Sequence, residues 1–376
     1  MIKRLKVSRF RSLGNDVTID FGPLTVLVGQ NGAGKSNTID ALVFLADCMH
    51  LGLEGAITKR SGIGAIRHAG SGGRPYDVTI GVEIEREDVR GTYEVVLAGE
   101  RAGEYRVKRE LASIERGATF VVENGQFTGP ANLNLVVEPT ALALTALAGE
   151  ARFAPLAQSL RSIASYSIFP DALRTPQKYD PRRPMDRQGT NWVSILKDQP
   201  EASWKPDLLT VLRKLTGDLA DVKFEPVAGF LVLQFKHERD AGAKRKQWFD
   251  AAQESDGTLR VAGMMTALLQ EPRPELIAIE EPELTVHPGA LRLLHDYIRE
   301  GALRGQVVLT THSPDLLSLL SAEEVRVVTR VDDETRVEEL DEAQRDVVTR
   351  GLFSLGDVMR SEGLRPQQLA LPLGAE

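Results

Sequence analysis

The chain has 376 residues, 42% of them hydrophobic and 26% charged, with a formal net charge of −7. This is an ordinary globular composition with room for one large domain or two to three smaller ones. The acidic balance argues against attraction of the whole molecule to nucleic acid. The single cysteine, Cys48, excludes an intramolecular disulfide and a cysteine-based zinc site. No run reads as long and apolar enough to span a bilayer. The basic start Met1-Ile2-Lys3-Arg4-Leu5-Lys6 has no apolar stretch behind it. The expectation is therefore a cytoplasmic protein without membrane attachment.

Residues 2–28 read as strands, with Leu5 and Val7 and then Val17, Ile19 and Phe21 alternating with polar neighbours. Leu24-Thr25-Val26-Leu27-Val28 is a short apolar run that leads into Gly29-Gln30-Asn31-Gly32-Ala33-Gly34-Lys35-Ser36, and a helix begins at Ser36 with Ile39, Leu42, Val43 and Ala46 on one face. The glycine-rich stretch from Gly62 to Gly73 reads as a loop. From about Asp77 to Phe127 the alternation of Val78, Ile80, Val82 and Ile84, and of later runs like it, predicts an antiparallel meander. Helical periodicity occupies Glu138 to Thr216, interrupted by a polar loop from Arg174 to Gln188, and strands return at 222–238. A helix from Thr258 to Leu269 precedes the buried-strand runs Leu276–Ile279 and Gln306–Thr310, with a helix at 289–300 between them. Pro314–Leu320 reads as a helix, Val325–Val328 as a strand, and Asp332-Asp333 as a turn. Strand and helix alternate in residues 1–50 and again in 255–330. This predicts one α/β domain built from both ends of the chain with the middle inserted.

Gly29–Ser36 fits the phosphate-binding pattern G-x-x-x-x-G-K-[ST] at every fixed position. Strand, glycine loop and helix are what that chemistry needs: the glycines let backbone N–H groups turn inward, and the helix N-terminus adds positive potential. Lys35 would reach the β- and γ-phosphates, and the Ser36 hydroxyl would ligate Mg²⁺. An acidic partner for the metal is found where the second buried strand ends, Ile279-Glu280-Glu281-Pro282-Glu283. Ligands of α/β sheets gather outside the carboxyl ends of the strands. Glu280 is assigned to the metal and Glu281 to the attacking water. The following strand ends Thr310-Thr311-His312-Ser313-Pro314, where Ser313 suits an N-cap and Pro314 the first helical position. His312 would sense the γ-phosphate or the water from that turn. The basic clusters Arg182-Arg183 with Arg187, and Lys244-Arg245-Lys246, read as solvated surface before they read as DNA contacts.

In these motifs the chain resembles the ABC-type head ATPases of the SMC, RecF and OLD group, and among them the compact bacterial ATPases with E-E-P-E-x-x-x-H-P and T-H-S-P motifs. The resemblance extends to Phe10-Arg11-Ser12-Leu13, Ser255-Asp256-Gly257-Thr258-Leu259-Arg260 and Ser354-Leu355-Gly356-Asp357. It implies a P-loop NTPase head. Residues 1–75 with 245–376 would form the ATPase core, 76–130 an antiparallel β lobe, and 131–244 a mainly helical insert with a strand pair. It also implies that Gly29, Gln30, Asn31, Gly32, Ala33, Gly34, Lys35 and Ser36 cradle ATP, that Arg11 reaches the phosphates, and that Asn37 supports the α-phosphate. Ser255, Asp256 and Gly257 would stand in for the signature motif, closing in trans over ATP held by a second copy. The departures are Glu280 where transporter ATPases carry aspartate, a shortened signature, and no Q-loop glutamine near Ile66-Arg67-His68.

The expected function is Mg²⁺-dependent ATP hydrolysis at a composite site formed by ATP-driven homodimerisation. That cycle would be coupled to DNA or to a separately encoded nuclease or effector, in DNA repair or anti-phage defence. The alternative is an ATP-gated scaffold or sensor with negligible turnover; the intact Glu280-Glu281 pair argues against it. A transporter subunit is a weaker third reading, because the standard signature is missing.

Overall fold

The computed structural model describes residues 1–68, 76–86, 89–98, 103–115, 117–238 and 248–367. The chain divides into two compact units. One comprises Met1–Ile163, Ser321–Phe353 and Val358–Glu376; the other comprises Ala164–Leu320 and Ser354–Asp357. The expected cluster Lys244-Arg245-Lys246 lies outside the described residues.

The first unit holds a seven-stranded antiparallel sheet in the order Val17–Asp20, Ile2–Ser8, Val78–Glu85, Arg90–Leu97, Val107–Ile114, Thr119–Glu123, Gln126–Thr128. The predicted meander is thus present, and the N-terminal hairpin extends it. A second layer sets Leu24–Val28 parallel to Val325–Val331, which forms an antiparallel hairpin with Glu334–Glu339. Every residue of Leu24–Val28 is buried, as a continuous apolar run requires of a strand covered on both faces. Asp332 and Asp333, at φ 49° and 65°, make the two-residue hairpin turn. Two central residues with positive φ match the right-handed strand twist, and aspartate tolerates that region. The strand Glu334–Glu339, absent from the sequence reading, is polar along most of its length and carries no apolar alternation to reveal it.

Behind the glycine loop runs the helix Lys35–Thr58. One expectation is corrected here, for this helix contains an 18-residue window of mean hydropathy 1.4, long and apolar enough to cross a membrane by composition alone. Within the fold 61% of that window is buried, and Leu42, Phe44, Leu45 and Cys48 are core residues. Its apolarity therefore serves packing within the unit. Burial also pushes the Cys48 thiol well above its ordinary value, so it is an inert core group.

The second unit contains the parallel pair Leu276–Glu280 and Gln306–Thr311, with Glu280 opposite Thr310, and the strand Ile163–Tyr166 next to Leu276–Glu280. A separate antiparallel sheet joins Leu219–Val227, Phe230–His237 and Trp248–Asp250. The helices Trp192–Lys197, Lys205–Thr216 and Pro288–Arg304 each pack against Asp256–Leu269, and Trp192 and Trp204 are nearly inaccessible. Between residues 131 and 244 the helices are joined by the short strand Ile163–Tyr166 and the pair Leu219–Val227 and Phe230–His237, and Trp248–Asp250 adds a third strand to that pair.

One buried charge ties the antiparallel lobe to the helix that follows it. Glu110, fully inaccessible, accepts N–H bonds from Ala143 and Leu144 at 2.6 and 2.9 Å and the Tyr93 hydroxyl at 2.9 Å. It caps the helix Ala143–Ala146 from a distant strand. Burial pushes its carboxyl from 4.5 up to about 7, against the pull of those three donors. A carboxyl raised in the folded state contributes stability that is complete below its unfolded value and lost as pH rises through its folded value. The thermal midpoint should therefore fall between pH 5 and pH 8, by the equivalent of about 3 kcal/mol at most. The Glu110→Gln variant should show a flatter pH dependence in thermal unfolding scans.

Candidate functional site

The phosphate loop is shaped by steric demands that the first unit makes on its glycines. Gly34 caps the helix at φ 108°, and a Cβ there would lie 2.1 Å from Thr335 Oγ1. No L side chain fits either the dihedral or the space. Thr335 donates to the Ala33 carbonyl at 2.8 Å and accepts the Ser12 hydroxyl at 2.7 Å. Ser12 in turn accepts the Asn37 amide at 2.6 Å. This chain of polar contacts holds the loop from behind, and it places Asn37 on Ser12. Lys35, only 6% exposed, donates to the Gly29 and Gln30 carbonyls at 2.7 and 3.1 Å. Gln30, Asn31, Gly32 and Ser36 stay exposed. The first helical turn carries no acidic residue, so the positive N-terminal end is left for an anion. The Arg11 guanidinium pairs with Asp40 at 2.8 Å, and Asp40 also holds the buried Arg60.

In the second unit the acidic strand turns sharply after Glu280. Glu281 lies at φ 47°, a left-handed conformation that costs roughly 1 kcal/mol or more for a residue with a side chain. Its N–H donates to the Thr310 carbonyl at 2.9 Å. Its carbonyl accepts Arg260 Nη2 at 2.9 Å, while Arg260 Nη1 donates to the Ile168 carbonyl at 2.6 Å. Burial lowers the Arg260 pKa from its ordinary value, opposed by Glu283 and Glu281 nearby. The turn aims the Glu281 carboxylate at His312, with Oε1 3.2 Å from Nδ1. Glu283 fixes the other side of the pair, accepting the Thr311 hydroxyl at 2.6 Å and the His312 N–H at 3.3 Å. The structure thus brings Glu281 and His312 together. Roles for Glu283 and Arg260 are not evident from residue type, because a motif shows that they are present and not what they touch.

Glu280, at the strand end, pairs with Arg187. Arg182 pairs with Asp180 and Arg183 with Asp198, so this basic cluster is balanced residue by residue. Ser255 caps the helix Asp256–Leu269, its Oγ accepting the Thr258 N–H at 3.1 Å. Asp256 pairs with Arg174. Gly257 lets the helix start approach the Thr285 carbonyl, which a Cβ would meet at 2.7 Å. A cavity of about 590 Å³ opens there, lined by Ser255, Asp256, Gly257, Thr258, His237 and His287 among others. His237 lies between Asp218 and Glu254 at 2.8 and 2.9 Å. Those carboxylates raise its pKa against the burial that lowers it.

Among the described residues no group of three or more His, Cys, Asp or Glu side chains could hold a metal ion. The oxygen donors expected from the sequence to meet a metal, the Ser36 hydroxyl in the first unit and the Glu280 carboxylate in the second, are each of the kind Mg²⁺ prefers. That ion binds through one or two protein ligands and completes its shell with phosphate oxygens and water.

Comparison with known proteins places the fold. A family profile described as "AAA domain, putative AbiEii toxin, Type IV TA system" matches residues 143–318, and another described as "AAA domain" matches residues 4–133. The crystal structure of an Smc head bound to the C-terminal winged-helix domain of ScpA aligns with TM-score 0.56 at 18% identity, covering 92% of this chain and 99% of that one. An Smc head with an extended coiled coil from Pyrococcus furiosus aligns with TM-score 0.51 at 15% identity, over 93% and 99%. Among curated proteins, the chain is 31% identical over 105 residues to the structural maintenance of chromosomes protein 4 of Caenorhabditis elegans. That match covers 27% of this chain and 6% of the relative. It is 50% identical over 42 residues to the OLD nuclease of Thermus scotoductus, covering 11% and 8%. The chain therefore spans only a small fraction of the length of the curated relatives it matches. Its fold is that of these Smc heads, the P-loop, ABC-type head.

Arg260 gives this geometry a direct test. Arg260→Met would take the guanidinium donor from the buried Ile168 carbonyl and leave the Glu281 carbonyl to the Leu284 N–H at 3.2 Å, lowering stability by roughly 2–4 kcal/mol. Urea unfolding followed by circular dichroism should show a lower midpoint.

Proposed function

We propose that the chain is a Mg²⁺-dependent ATPase whose nucleotide sites are completed by a second copy. The observation that carries the reading is the Glu281–His312 pair, held on a left-handed turn by Arg260 and Thr310. A protein that only binds nucleotide has no need to maintain a strained carboxylate at a strand end. Supporting it are the phosphate loop, with Lys35 drawn across its carbonyls, and the likeness to Smc heads.

The chemistry follows from charge. Phosphoryl transfer to water needs positioning and neutralisation more than covalent help. Lys35 and the start of the helix Lys35–Thr58 would take the phosphate charge. Bound Mg²⁺ would supply further neutralisation of the phosphate oxygens, with Ser36 and Glu280 holding it. Glu281 would accept the proton of the attacking water, and His312 would hold that carboxylate in place through Nδ1–H. Ser255 and Gly257 of one copy, at a helix N-terminus beside an open cavity, would close over the γ-phosphate bound by the other. Asp256, tied to Arg174, would fix that helix start. Similarity to an OLD nuclease segment and to a toxin-type AAA family supports a role beside DNA or an effector nuclease, in DNA repair or phage defence.

The Lys35→Ala variant should lose ATP binding. Glu281→Gln should keep it, lose hydrolysis by about 10²- to 10⁴-fold, and accumulate an ATP-dependent dimer in sedimentation experiments. Wild-type turnover by Glu281→Gln would remove the general-base assignment. Absence of turnover in the native protein, with and without DNA, would favour the scaffold reading. Separately, mixing Lys35→Ala with Ser255→Ala chains should restore part of the activity that each lacks alone. No restoration, in a protein fully active as a monomer, would exclude the trans site.

A further inference from the structure

Arg187 lies outside every motif that marks the site, yet its guanidinium rests on Glu280 Oε1. The Glu280 side chain is 13% exposed and that of Arg187 is 51% exposed. The backbone that carries Arg187 is fixed without help from this pair. Its carbonyl accepts the Ser167 N–H at 2.8 Å. Asp186 Oδ1 gathers the N–H groups of Gln188, Gly189 and Thr190 at 2.9, 2.8 and 3.0 Å. The Met185 N–H donates to the buried Gln270 side chain at 2.8 Å. The loop is therefore a firm mount, and what can change is the rotamer of one long side chain.

A carboxylate largely withdrawn from water requires a counter-charge. Arg187 supplies one, and Mg²⁺ would claim the same carboxylate. Two cations at contact distance from one carboxylate repel each other, the more so where water is scarce. We propose that Arg187 is a positioning residue that neutralises Glu280 in the metal-free protein and yields it to Mg²⁺. Metal loading and release of the arginine are then one exchange. The released guanidinium is a planar fork of donors suited to phosphate oxygen. The inference rests on Glu280 being a metal ligand, as the proposed function has it.

The test is the Mg²⁺ concentration that half-saturates binding of a fluorescent, slowly hydrolysed ATP analogue, with thermal midpoints measured in MgCl₂ alone. In Arg187→Ala the half-saturating concentration should fall roughly three- to tenfold. The midpoint without metal should drop, and Mg²⁺ should restore it. Arg187→Lys, which keeps the charge but not the fork, should fall between. Adding Glu280→Gln to the native chain and to the Arg187→Ala variant should erase the difference between the two. Arg187→Gln, which keeps more of the side-chain bulk, gives the same readout if the alanine variant does not fold. If the native protein binds the analogue in a Mg²⁺-dependent way and Arg187→Ala needs the same or more Mg²⁺, this inference is overturned alone. If the native protein binds no nucleotide at any Mg²⁺ concentration, the ATPase reading falls with it.

Discussion

The second unit is organised around holding the Glu281 backbone where a side-chain-bearing residue does not readily go. Arg260 reaches from the helix Asp256–Leu269 to the Glu281 carbonyl, and Thr310 takes its N–H from the neighbouring strand. The guanidinium is itself desolvated, at 4% exposure, so the clamp is a charged donor fixed among buried carbonyls. Such a donor is hard to replace, because removing it strips the buried Ile168 carbonyl of its charged partner. The helix that supplies Arg260 is capped by Ser255, so Ser255-Asp256-Gly257 and the turn at Glu281 are tied to one element.

The same economy of charge recurs in both units. Glu110 caps a helix from across the lobe. Arg60 is held by Asp40 and Asp47, and Glu280 by Arg187. Each places an ionised or ionisable group where water is scarce, and each has a partner aimed at it. In the phosphate loop the partners are neutral: Asn37, Ser12 and Thr335 pass one hydrogen bond to the next and end on the Ala33 carbonyl. A loop braced from behind by its own unit is held in one shape, which is the preorganisation that phosphate binding demands.

Much of the site is legible along the chain, because the chemistry depends on short contiguous patterns. A glycine loop must be contiguous to curve around a phosphate, and a strand that ends in acids must carry them consecutively. Gly29–Ser36 and Glu280-Glu281 can therefore be read directly, as can the apolar runs Leu24–Val28 and Leu276–Ile279, whereas Ser255-Asp256-Gly257 is singled out only through the family resemblance. The strand Glu334–Glu339 is not legible, since its polar face hides the period. Nor is Thr335 within it, although the loop's glycine exists to make room for that threonine.

The sequence by itself determined the phosphate loop, the acidic strand end, the histidine turn and the α/β class, because residue type and spacing carry those constraints locally. Only the tertiary structure decided that His312 meets Glu281, that Arg260 and Thr310 hold the strained turn, that Asn37 serves Ser12, and that Arg187 lies on Glu280. These pairings join residues up to 93 positions apart. The physical reason is that a hydrogen bond or ion pair depends on distance and direction in space, and spacing along the chain fixes neither once the backbone has turned.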